Sequence, residues 1–258
     1  MRHNNELNHF KFSPATWIIP SFLLVVVWFV FFVNQSFHLH LNEHGIFPRT
    51  ISGLQGVIFS PFLHSDLNHI LNNSLPLLIL TTALIYFYRE VSLKVLVYGV
   101  LLSGILTWIF GRDSYHIGAS GLIYVLVSFI FFKGLRTQYY RLMALSMAVV
   151  VLYGGMIWYV FPEVDNTISW EGHLAGMITG FVFAIQFKTP DYLKDIQYDW
   201  EKPDFDPSTD PFMKRFDENG NFVNPPKPEE EEELQHVQPI NYVYIYKEEN
   251  AGSEKDSD

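Results

Sequence analysis

The sequence contains no cysteine, which excludes disulfides, thiolate nucleophiles and cysteine-based zinc sites. It has no run or face rich in Lys and Arg, so nucleic-acid binding through a basic patch is excluded as well. Charge of either sign is scarce over residues 1–187, where nine Lys/Arg meet eight Asp/Glu for a net of +1. Residues 188–258 carry eight Lys/Arg against nineteen Asp/Glu, so the chain's net charge of −10 is a property of its last part alone.

What fills the first 187 residues is apolar. Ala15–Val33 runs nineteen residues without a charge, long enough to cross a bilayer core. Its length and the lack of a small-residue cleavage site set it apart from a secretory leader. Further apolar runs follow at Leu75–Tyr88, Val95–Phe110, Gly121–Phe132, Leu142–Val160 and Leu174–Phe187. Several are short for a full span and reach the needed length only by recruiting polar neighbours such as His69, Asn72 and Asn73. Polar groups at membrane depth are costly and turn toward a protein interior or a wet cavity. A soluble protein could not cover six such runs with the polar surface available. The expectation is an all-α, multi-pass cell-membrane protein with three parts: an N-terminal segment 1–14, a six-helix membrane domain 15–187, and a disordered or loosely structured acidic tail 188–258.

Basic residues give the expected orientation. With the N-terminus inside, Arg2, Lys11, Arg89, Lys94, Lys133, Arg136, Arg141, Lys188 and Lys194 fall on the inner side, and only Arg49 and Arg112 outside. Both termini are then cytoplasmic, and the second, fourth and sixth helices all begin near the outer surface.

Three polar clusters sit at those beginnings. His64, Asp66, His69, Asn72 and Asn73 precede or open the second helix, Gly118-Ala119-Ser120-Gly121 opens the fourth, and Glu171-Gly172-His173 opens the sixth. His69 and Asn73 are four apart and share a helix face, and both can donate hydrogen bonds. Ser120 stands at a helix start, where free N–H groups favour negative charge, between Gly118 and Gly121, which leave room for a substrate backbone. Gly172, Gly176 and Gly180 recur every four residues and allow the sixth helix to pack closely on a neighbour. If that neighbour is the fourth helix, His173 meets Ser120. A serine hydroxyl needs a base, a histidine has a suitable pKa, and the tetrahedral intermediate needs donors. No carboxylate is clearly placed to orient His173, so the expectation is a Ser-His dyad, with Tyr124 holding the imidazole by ring stacking.

These residues resemble the rhomboid family of intramembrane serine proteases. His64-(x4)-His69-(x3)-Asn73 is similar to the rhomboid second-helix motif. Gly118-Ala119-Ser120-Gly121 is similar to its Gly-x-Ser-Gly, and Gly172-His173-(x2)-Gly176-(x3)-Gly180 to its last-helix motif. The resemblance covers about residues 10–187. It implies a six-helix rhomboid-like bundle that hydrolyses peptide bonds of single-span or multi-span transmembrane substrates in the lipid bilayer. By motif position it implies Ser120 as nucleophile and His173 as base, with His69, Asn73 and the Ser120 N–H forming the oxyanion hole. Tyr124 would stack on His173, Gly118 and Gly121 would support the site, and His64 would shape it. It also implies that the fifth helix and the loop 161–171 gate access. The sequence departs from the family in lacking the Trp-Arg pair in the loop 34–63, where Arg49 is the one basic residue. Phe37, Phe47, Phe59 and Phe62 are the candidates to anchor that loop at the bilayer interface.

Other readings carry less. The histidines and Asp66 do not have zinc spacing, so no metal or other cofactor is expected. A non-catalytic relative that binds client transmembrane segments is the alternative function, though it would be expected to lack the serine or the histidine. A transporter would place its polar sites at the midplane between inverted repeats, and no such repeat is visible. In the tail, Asp217–Asn221 fails as a calcium loop and reads as a turn at Asn219-Gly220. His116 is assigned no chemistry.

Overall fold

The computed structural model describes residues 10, 12–162, 164, 167–188, 198 and 205–223. The chain divides into two compact units, Met1–Asp195 and Ile196–Asp258. Among the described residues the structure is helical, with two isolated β-bridges and no strand.

Among the described residues the first unit has six long helices: α1 Ala15–Phe37, α2 Leu67–Phe87, α3 Arg89–Phe110, α4 Ser120–Thr137, α5 Tyr140–Tyr153 and α6 Trp170–Gln186. Counting the 3₁₀ extension of α5 to Val160, five are long and apolar enough to cross a membrane. Helix α6 has 17 residues, just enough to span a hydrocarbon core. The chain is a multi-pass membrane protein. Exposed large apolar side chains such as Phe22, Val25, Phe29 and Phe32 on α1 and Val151 and Leu152 on α5 mark faces turned to lipid.

The helices outrun the apolar stretches that betray them, because helix ends are fixed by caps rather than by hydropathy. Helix α2 begins eight residues before Leu75, where the Asp66 carboxylate accepts from the His69 N–H at 3.0 Å. Helix α6 begins four residues before Leu174, where the Ser169 hydroxyl accepts from the Gly172 N–H at 3.2 Å. Helix α3 starts at Arg89, with only Tyr88 between it and the end of α2, so Arg89 and Lys94 lie within its first turns. Long basic side chains near helix ends reach the interface from there. Helix α5 is shorter than its apolar run. At Gly154-Gly155 it tightens into a 3₁₀ segment, Gly154–Val160.

Helix α4 is the centre of the bundle, with Val125, Leu126, Phe129 and Ile130 buried to the last per cent. It packs most tightly on α6. A Cβ on Gly176 would strike the Gly121 carbonyl oxygen and come within 2.9 Å of Tyr124 Cβ. A Cβ on Gly180 would strike the Val125 carbonyl oxygen and come within 2.8 Å of the Phe129 nitrogen. Ser128 Oγ donates to the Met177 carbonyl at 2.7 Å across the same seam. At the far end the buried Lys133 ammonium of α4 donates to the carbonyls of Ala184 and Phe187, closing the last turn of α6.

The loop between α1 and α2 folds as short helical turns, Leu41–His44 and Ser52–Phe62. An antiparallel bridge between Ile46 and His116 stitches it to the segment before α4. The Arg49 guanidinium donates to the Gly111 carbonyl at 2.6 Å and pairs with Asp113. The four phenylalanines expected to anchor this loop divide. Phe37 and Phe59 are exposed, Phe47 lies edge-on to Tyr115, and Phe62 packs against the core. The loop itself holds no Trp, but Trp108 of α3 donates its Nε1 hydrogen to the Thr50 carbonyl at 2.8 Å.

In the second unit, residues 205–223 form a small turn structure. Asp217 Oδ1 accepts from the N–H groups of Asn219 and Asn221 at 2.9 and 2.8 Å, with Gly220 at φ +78°. Phe216 bridges Phe222, and Phe212, Phe216 and Phe222 share ring contacts. The acidic run Glu229–Glu233 and the alternating stretch Ile240–Tyr246 lie outside the described residues, as does most of the segment 1–14.

Candidate active site

The α4–α6 seam determines what can meet at the helix starts. Ser120 is the first residue of α4 and His173 lies in the first turn of α6. His69 and Asn73 lie one turn apart near the start of α2. All four, with Tyr124, line one open cavity of about 930 Å³. Ser120 also borders a second cavity of about 30 Å³, lined in part by Ser103, Thr107 and Ser169.

Gly118 holds the serine in place. Its φ is +107°, a conformation L side chains rarely adopt, and its N–H donates to the Ser60 carbonyl at 2.8 Å. A Cβ there would lie 2.6 Å from His69 Nε2 and 3.5 Å from Asn73 Nδ2. The polar tips of His69 and Asn73 therefore converge on the loop just before Ser120. Gly121, in contrast, leaves ordinary contact space beside the Gly172 carbonyl.

His173 is buried, and its ring stacks on Tyr124 with centroids 4.3 Å apart and planes 16° from parallel. Its Nδ1 lies 2.9 Å from the Tyr159 carbonyl oxygen. A carbonyl only accepts, so Nδ1 carries the proton and the Nε2 of the neutral ring is left with its lone pair. The Tyr124 hydroxyl donates to the Met156 carbonyl at 2.7 Å. Both supports of the imidazole thus end on the 3₁₀ segment after α5. Glu171, two residues before His173, takes no part in this. Its carboxylate is buried and accepts from the Arg112 N–H at 3.2 Å, with the Arg112 guanidinium 3.8 Å away.

His116, left without a role by sequence, ties the start of α4 to the start of α6. Its Nε2 donates to the Arg112 carbonyl at 3.0 Å, so its Nδ1 accepts from the Ser169 hydroxyl, which in turn accepts from the Gly172 N–H. Burial pushes its pKa down, keeping the ring neutral as this chain of bonds requires. Nothing in the sequence singled out Ser169 or paired it with His116.

His64 lies buried behind His69, edge-on with ring centroids 4.9 Å apart. Burial first, and the neighbouring His69 second, lower its pKa from 6.5 to about 4. A base that stays neutral when folded but protonates when unfolded makes the unfolded state bind more protons between those values. Stability should therefore fall as pH drops from about 6.5 toward 4, and stay level above 6.5 as far as this group is concerned. The loss reaches on the order of 3 kcal/mol at pH 4. His64→Phe should flatten this part of a melting-temperature profile in detergent; an unchanged slope would show that the acid sensitivity arises elsewhere. The Asp66 carboxyl is also held low: the Ser65 hydroxyl, then the His69 N–H, keep it below the usual range. Among the described residues no group of His, Asp and Glu is arranged to hold a metal ion.

Residues 52–189 match the Rhomboid domain. The chain is 31% identical over 189 residues to an uncharacterized protein of Mycobacterium tuberculosis, covering 68% of this chain and 78% of the relative. It is 29% identical over 178 residues to an uncharacterized protein of Mycobacterium leprae, covering 65% and 70% respectively. A protein named as a rhomboid in Acanthamoeba polyphaga mimivirus is 28% identical over 150 residues, 56% of this chain and 81% of that one. With its glycine-sealed α4–α6 seam and the polar cavity at the helix starts, the chain belongs to the rhomboid family.

Proposed function

We propose that this chain is an intramembrane serine protease in which Ser120 attacks the scissile carbonyl and His173 Nε2 takes its proton. The observation that carries the reading is the commitment of His173 Nδ1 to the Tyr159 carbonyl. It leaves Nε2 as the basic nitrogen of a buried ring that lines the same cavity as Ser120. The tetrahedral oxyanion is held by Asn73, His69 and the N–H of Ser120 at the dipole-positive start of α4. His173 then returns the proton to the leaving amine, and a water repeats the cycle on the acyl-enzyme. Tyr124 keeps the ring in plane, while Gly118 and Gly121 let the substrate backbone approach. His64 shapes the site from behind. No cofactor enters the scheme.

The substrates are transmembrane segments that reach the cavity from the bilayer. The distribution of Lys and Arg supports cytoplasmic termini, with the cavity and the cleaved bond toward the outer face. The competing reading, a rhomboid-like protein that binds client segments without cutting them, needs no basic Nε2 and no reactive hydroxyl. A fluorophosphonate probe separates the two. The purified full-length chain in detergent should be labelled covalently at Ser120, and labelling should vanish in His173→Ala. A chain that stays unlabelled and leaves single-span substrates intact would be the client-binding protein.

A further inference from the structure

The cavity asks His69 for a donated hydrogen, yet the groups around its other nitrogen give it the wrong resting tautomer. Ser65 Oγ lies 2.6 Å from Asp66 Oδ2 and 3.1 Å from His69 Nδ1. A hydroxyl has one hydrogen, and at that distance the carboxylate takes it. Ser65 Oγ is then an acceptor, so the hydrogen in its bond to His69 sits on Nδ1. The opposite nitrogen, Nε2, faces Gly118 beside Ser120. In a neutral ring that nitrogen has a lone pair and would repel an oxyanion. The ionisable surroundings are His64 behind the ring and, along the same cavity, Asp66, Arg112, His116, His173 and the tyrosines Tyr115, Tyr124, Tyr153 and Tyr159.

We propose that Ser65 and Asp66 are positioning residues that set the tautomer of His69, so that it acts on the oxyanion as an imidazolium. This rests on the protease reading above for its catalytic consequence, but not for the tautomer itself. In the resting site His69 is neutral with hydrogen on Nδ1. As the tetrahedral intermediate forms, Nε2 takes one proton from water and donates it in a hydrogen bond to the oxyanion. When the intermediate collapses the proton returns to water. No bond to His69 forms or breaks other than N–H. The cation is flanked by the oxyanion on one side and, through the Ser65 hydroxyl, by the Asp66 carboxylate on the other, so its charge is stabilised most while the intermediate exists. Asp66 has a separate structural duty, since its Oδ1 caps α2 through the His69 N–H.

Asp66→Asn separates the two duties. Asparagine caps a helix about as well as aspartate, but its amide would donate to Ser65 Oγ and turn the Ser65 hydrogen toward His69 Nδ1. Nitrogen-15 spectra of histidine-labelled full-length protein in micelles, with His69 assigned by its loss in His69→Gln, should show hydrogen on Nδ1 in the wild type and on Nε2 in Asp66→Asn. Kinetically, Asp66→Asn and Ser65→Ala should each lower kcat about tenfold, since a charged donor is replaced by a weaker one. KM and melting temperature should stay put, and Ser65→Thr should restore kcat. A wild-type His69 with hydrogen on Nε2 overturns the proposal, as does an unchanged kcat in Asp66→Asn. A wild type that neither cleaves nor labels overturns the protease reading instead, and the tautomer spectra still decide the Ser65–Asp66 chain.

Discussion

Replacing Ser120 by alanine should reduce cleavage of a single-span substrate in liposomes to background, a loss on the order of 10⁴ to 10⁶ in kcat. Every other part of the proposed machinery survives that change. Ser120 has only intermediate exposure, so losing one oxygen leaves the α4–α6 seam and the cavity of about 930 Å³ in place. The cost is then chemical. Water would have to attack without a positioned nucleophile, and His173 would have no hydroxyl to deprotonate. His173→Ala should fall by a similar factor, and the double variant should be no worse than either, because nucleophile and base act as one unit. Chelators should leave the wild type untouched. Retained cleavage in Ser120→Ala would end the dyad account, and loss with chelator would call for a metal.

A second large effect is expected from a single methyl group that touches no reacting atom. In Gly176→Ala the new Cβ would meet the Gly121 carbonyl oxygen and Tyr124 Cβ, neither of which can give way cheaply, since one is backbone and the other the root of a packed ring. Helix α6 must back away from α4 by something on the order of an ångström, and His173 travels with it. Misplacement on that scale costs about 10²-fold in rate, and overpacking costs about 1–3 kcal/mol of stability. The measurement is a paired one: kcat against the wild type, and melting temperature in the same detergent. Ile178→Ala on the exposed side of α6 serves as the comparison and should change neither much. If Gly176→Ala cleaves at the wild-type rate, the seam does not govern the distance between serine and histidine.

Much of this arrangement was legible in the residues. The spacing of Gly172, Gly176 and Gly180 announced a close helix contact, and Gly176 and Gly180 meet α4 along residues 121–129, while Gly172 faces Ser169 and Thr107. Apolar runs located six helices but not their ends, because Asp66 and Ser169 begin helices by capping and hydropathy averages do not register a cap. The sequence placed Arg89 and Lys94 on the inner side but did not show that they lie within α3. The network through His116 was hidden because it joins residues 53 apart in sequence, and a lone histidine carries no mark of its partner. The group that orients His173 was hidden more deeply. A search for a carboxylate finds Glu171, which is engaged with Arg112, while the actual acceptor is a main-chain oxygen of Tyr159. Main-chain oxygens occur at every residue, so only the path of the chain can single one out.

That last choice of acceptor has a consequence for how the protein tolerates change. The oxygens that hold His173 and Tyr124 belong to the peptide links of Tyr159 and Met156, and no side-chain replacement deletes them. Alanine at 156 or 159 would remove a side chain that lines the cavity but would leave both acceptors in place. Adding or removing one residue would be a different matter, since a 3₁₀ turn rotates by a third of a circle per residue and both oxygens would swing away together. The two acceptors thus depend on the length of this stretch rather than on any one side chain's hydrogen-bonding group.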